Sequence, residues 1–89
     1  MKIIITVVGK DQLGIVAKVS SKLAELNVNI VDISQTLMRN DFTMMLLGHL
    51  DTKKNDFKTV QDSLSKLGKE INVNIRVQRQ EVFDAIQKL

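Results

Sequence analysis

Residues 7–32, VVGKDQLGIVAKVSSKLAELNVNIVD, read as the end of one strand, a glycine-containing loop, an amphipathic helix and the start of a second strand. Val16, Val19, Leu23 and Leu26 recur at spacings of three, four and three, which places them on one stripe of a helix over roughly Leu13 to Leu26. Lys18, Ser21, Lys22 and Glu25 fall on the opposite, wet face. The preceding Gly9-Lys10-Asp11-Gln12-Leu13-Gly14 makes the turn, with Asp11 the expected N-cap. A helix N-terminus presents unpaired N–H donors and a partial positive charge. Because Gly14 lacks a Cβ, a small anionic group such as a carboxylate can approach the backbone there.

Working outward, Lys2 to Val8 is β-branched almost throughout and apolar on both faces except at Thr6, as a central strand requires. Val28 to Met38 alternates Val31, Ile33 and Leu37 against Asp32, Ser34 and Thr36, the pattern of a half-buried strand. Arg39-Asn40-Asp41 turns the chain into Phe42 to Leu50, so these strands form a hairpin in which Gly48 marks a bulge or a close contact. A second helix follows, with Asn55 as candidate cap, Phe57, Val60, Leu64 and Leu67 as its stripe, and Gly68 at its expected C-terminus. Ile71, Val73, Ile75 and Val77 then alternate with polar residues as a fourth strand. Val82, Phe83, Ile86 and Leu89 recur at helical spacing, so Gln80 to Leu89 is expected to be a short helix that must dock to persist.

The second helix stripe repeats the three-four-three spacing of the first, and Asn-Val-Asn-Ile follows each helix, at 27–30 and 72–75. Two β-α-β halves are the natural reading. The order β-α-β-β-α-β predicts an α+β, ferredoxin-like sandwich: a four-stranded antiparallel sheet, two helices on one face and a short C-terminal helix. Residues 1–79 form the expected domain and 80–89 a helical extension. The other face of the sheet is left for the tail helix or a partner subunit to cover.

At 89 residues the chain has room for one core. It has no Cys, hence no disulfide frame, thiol nucleophile or Cys-type metal site. The apolar run Ile3 to Val8 is too short to span a membrane, and the start lacks the cleavage pattern of a signal peptide, so a cytoplasmic location is expected. The net charge of +3 is spread along the chain and does not argue for nucleic acid.

Several chemistries fail on residue type. Gly9 and Gly14 stand at P-loop spacing, but Ile15 and Val16 follow where phosphate and magnesium need Lys and Ser or Thr. His49 has no partner nucleophile, and no second His exists to hold zinc with it. Asp11 with Asp32, or Asp51 with Asp56, are more simply caps and solvated loop residues than acid–base pairs. Met38, Met44 and Met45 read as adaptable packing. An RNA-binding sheet stacks bases on aromatics in its first and third strands, and here only Phe42 is available. No cofactor is expected.

Taken together, GKDQLGIV, the helix stripe and VNIVDISQT resemble an ACT domain, the small-molecule-sensing module of amino-acid metabolism. More narrowly, the G-x-D-x-x-G-[IL]-[VL] loop is similar to that of stand-alone and glycine-cleavage-repressor-like members, and the resemblance spans Lys2 to Gln78. It implies a non-enzymatic regulatory module that binds an amino acid between the loop and the start of strand two, often across a homodimer interface. By position it implicates Asp11, Leu13, Gly14, Asn29 and Ile30. Two family positions differ here: that of Leu13 is frequently Pro, and that of Asp11 is Asn in some amino-acid-binding members. As a stand-alone module the chain would act on another, unidentified protein. The rival readings are a constitutive oligomerisation domain with an empty loop, and an acylphosphatase-type enzyme, which needs an Arg where this loop offers only Lys10.

Overall fold

A computed structural model of the chain describes residues 1–10, 13–39 and 41–87. The strands are β1 (Lys2–Lys10), β2 (Val28–Met38), β3 (Asp41–Leu50) and β4 (Val73–Arg79). The helices are α1 (Ile15–Glu25), α2 (Phe57–Ile71) and α3 (Gln80–Gln87). The strands form one antiparallel sheet in the order β2-β3-β1-β4. This is the ferredoxin-like arrangement expected from the element order.

β1 is central because both its faces are apolar: Ile3, Ile5 and Val7 are wholly buried beneath α1 and α2, while Ile4 is covered from the other side. α1 contributes Ile15, Val19 and Leu23 to the core, and α2 contributes Val60, Leu64, Leu67 and Ile71. Met44, Leu46 and Leu50 of β3 and Val73, Ile75 and Val77 of β4 also belong to it. The repeated Asn-Val-Asn-Ile has a structural meaning. Asn27 and Asn72 both take left-handed backbone angles, at φ 62° and 58°, and each delivers the next Val, buried, into a strand. Asn tolerates that conformation better than most non-glycine residues.

Four local expectations are corrected. α1 begins at Ile15 behind Gly14 as N-cap, two residues later than the periodicity suggested, and Asp11, the expected cap, lies outside the described residues. α2 is capped by Asp56, whose carboxylate accepts from the Thr59 N–H at 2.8 Å. Asn55 instead donates to the Leu26 carbonyl at 2.9 Å, tying the loop to the end of α1. Gly68 does not end α2, which continues to Ile71 and stops at Asn72. A Cβ on Gly68 would stand 2.7 Å from the Val73 carbonyl oxygen, so glycine there serves the close approach of α2 to β4.

β2 departs furthest from expectation. Ile30 faces Gly48 and Asp32 faces Leu47, so the register slips at Val31. From Val31 to Leu37 every residue is exposed, and the strand is not half-buried. β2 lies at the sheet edge, and past the slip its side chains no longer join the buried core that Val28 and Ile30 reach. At Gly48, opposite the slip, a Cβ would meet Val28 Cγ1 at 2.7 Å, which makes this glycine a close-contact residue.

Candidate functional site

The turn into α1 stands beside the far end of β2. The pairings Leu37↔Phe42 and Gly9↔Phe42 bring the end of β1 and the end of β2 to the same region of the sheet. A hollow of about 320 Å³ opens there, lined by residues 13–17 with Gln35 and Phe42. Its floor is apolar, since Phe42 and Ile15 are buried.

Its polar groups are backbone donors and one amide. Gly14 sits at φ 86° and supplies no cap side chain, and the first intrahelical bond that it accepts comes from the Lys18 N–H at 2.9 Å. The N–H groups of Ile15, Val16 and Ala17 precede that bond and have no partner within the helix. These donors and the helix dipole favour an anion, and the Gln35 amide can donate or accept. The hollow can therefore take a small molecule with a carboxylate at one end. Among the described residues no charged side chain lines it.

Of the five positions implicated by resemblance, the structure brings Leu13 and Gly14 to the hollow. Leu13 is fully exposed, at 100%. Asp11 lies outside the described residues. Asn29 and Ile30 sit at the opposite end of β2, paired with His49 and Gly48. Asn29 lies six positions before Gln35, roughly 20 Å along the strand, so one chain does not unite Asn29 and Ile30 with the loop. Ile30 packs against the core, while Asn29 projects on the face away from α1.

Gln35 and Phe42 belong to the hollow but escaped the sequence reading. The signal for Gln35 was a polar residue interrupting the apolar row Ile33, Leu37; its pairing with Met44 puts it on the helix side. A larger concavity of about 490 Å³ lies on the other face of the sheet, away from the α1 terminus. Among the described residues no cluster of His, Cys, Asp or Glu has the spacing to hold a metal ion, and no helix is long and apolar enough to cross a membrane.

Comparison with known proteins bears on this geometry. A family model described as ACT domain matches residues 1–78. A UPF0237 protein of Listeria innocua is 49% identical over 89 residues, the full length of both chains. An ACT domain protein from Streptococcus pneumoniae superposes with a TM-score of 0.83 at 49% identity, over 93% of each chain. The ligand-free regulatory subunit of aspartate kinase from Thermus thermophilus superposes with a TM-score of 0.67 at 26% identity, over 86% of this chain and 50% of that one.

Proposed function

The chain belongs to the ACT domain family, whose members are regulatory small-molecule-binding modules, and from that premise we propose that it senses an amino acid at the hollow before α1. The observation that carries this reading is the uncapped N-terminus of α1 at Gly14, opening onto an apolar floor beside an unpaired strand edge. Backbone N–H groups of residues 15–17 take the ligand carboxylate, Gly14 admits it, and the side chain rests on Phe42 and Leu13. Asp11 is the proposed partner of the ammonium.

The site is completed by a second copy. β2 is an eleven-residue edge strand without proline, carrying Asp32 as its one charge and exposing Val31 and Leu37 to 60% and 59%. Such an edge is a template for strand addition. Antiparallel pairing of two β2 edges, centred near Ile33, sets the start of the partner's strand beside residues 35–37. Ile30 of the partner subunit then faces the hollow on the helix side, and Asn29 of the partner subunit offers its backbone. Ligand bound across the pair favours the dimer over the monomer, and that shift is what a regulated protein reads. The module itself is non-enzymatic.

Thermal unfolding against the common amino acids, with mass measured in solution, tests this. Ligand at a hundredfold over its dissociation constant adds about 2.7 kcal/mol, a rise of roughly 10 °C or more for a domain this small. The rise should disappear in Gln35→Ala and in Gly14→Val, and the folded baseline should survive in Gln35→Ala. The exposed apolar edge also favours a second reading, a pairing domain that needs no ligand. A stable dimer that no amino acid stabilises would establish that reading and sink the first.

A further inference from the structure

We propose that the face of the sheet opposite α1 and α2 is a second pairing surface, occupied by another copy of this chain, with α3 of each copy lying in the hollow of the other. α3 packs against β1 and β4 on this face, where Ile4 is 7% exposed while Val8 and Met45 remain 44% and 39% exposed. Beyond it the sheet is bare. Thr6, Val8, Met45 and Arg76 floor the concavity of about 490 Å³, and Phe83 and Ile86 of α3 form its wall.

The outer side of α3 is equally incomplete. Val82 is 46% exposed and Ile86 61%, although Phe83 is turned inward. Val82, Phe83, Ala85 and Ile86 subtend an arc of roughly 160° at 100° per residue, wider than the stripe that one-sided packing needs. A helix with that arc is built to be covered from two sides. A two-fold axis lying parallel to the sheet and across its strands supplies the second cover. It sets the bare end of one copy over α3 of the other, so each α3 lies between its own sheet and its partner's. The surface is then self-complementary, as a two-fold interface must be.

Charge agrees with this occupant. α3 carries Glu81 and Asp84, while the bare end carries Arg76, for which no ion pair occurs among the described residues, and Lys10 beside Asp41. Lys2 shares a shallow hollow with Glu81 and Asp84, and Glu81 also approaches Arg79 at 3.8 Å, so the acids of α3 are partly compensated within the chain. Four strands of this length span roughly 19 Å by 30 Å, and the part that α3 leaves bare, together with the outer flank of α3, is the patch each copy offers the other. The concavity also has the volume of a small-molecule site. A small ligand there would still leave Val82 in water, and this decides for a second copy.

The test is sedimentation over a range of concentrations in a Leu37→Lys background, which removes pairing through β2. That protein should still dimerise. Ile86→Lys and Arg76→Glu should each raise the dissociation constant by about tenfold or more. Combining Arg76→Glu with Glu81→Lys and Asp84→Lys should recover the affinity, which an unfolded variant cannot do. The amino-acid-dependent rise in unfolding temperature, measured with the native Leu37, should persist in Ile86→Lys, so the two sites stand or fall separately. A Leu37→Lys chain that stays monomeric to about 1 mM, or dimerisation indifferent to Ile86→Lys and Arg76→Glu, overturns the proposal.

Discussion

Gly68 and Asp56 show how much single positions decide. Alanine is the better helix former by about 1 kcal/mol, yet at position 68 its Cβ would stand 2.7 Å from a backbone oxygen that cannot swing away. Gly68→Ala should therefore lower stability by ~1–3 kcal/mol, read as a lower urea midpoint at unchanged slope. At Asp56 hydrogen bonding by Thr59, first through its side chain and then through its N–H, holds the carboxyl below its ordinary value of 3.8. The lowered value means that the cap stabilises α2 fully above pH 3.8 and is lost as pH falls through the folded-state value. Asp56→Asn keeps an accepting oxygen but cannot titrate. Its melting temperature should fall less than that of the wild type on acidification below that pH. The cap was off by one in the sequence because Asn55 and Asp56 are both good N-caps, and only the bond from Asn55 to Leu26 frees its neighbour for the role.

Among the elements, β2 is the one whose environment its own pattern misstates. Its alternation resembles that of any half-buried strand, but past the slip at Val31, at the sheet edge, Ile33 and Leu37 stay exposed on the helix side. Apolar side chains left in water on an edge carry little of the fold's stability. Leu37→Lys should change the unfolding free energy by less than about 0.5 kcal/mol while weakening self-association, as equilibrium sedimentation would show. An unfolding loss of several kcal/mol would instead mean that Leu37 is a core residue. α1 and α2 behave oppositely: their stripes were legible because a buried face at helical period has few alternative readings, and Val19, Leu23, Val60 and Leu64 are indeed wholly buried.

For the molecule as a whole, exposed large hydrophobic side chains gather in two places. Leu13, Val31, Ile33 and Leu37 surround the loop and edge, and Val8, Met45, Val82 and Ile86 lie on the open face. A ligand held between two chains makes stability depend on protein concentration. The melting temperature with ligand should rise as the protein is concentrated, and a rise indifferent to concentration would place the whole site within one chain. What the sequence determined by itself was the element order, the core stripes, the internal repeat and the glycine loop, because these depend on periodicity and on backbone limits acting over a few residues. Tertiary structure alone decided that β2 lies at the edge, that Gln35 and Phe42 meet the loop, that Asn29 of the same chain does not, and that α3 leaves part of a sheet face bare. Those are facts of strand order and register, which join residues far apart in the chain and have no local signature for a short-range pattern to carry.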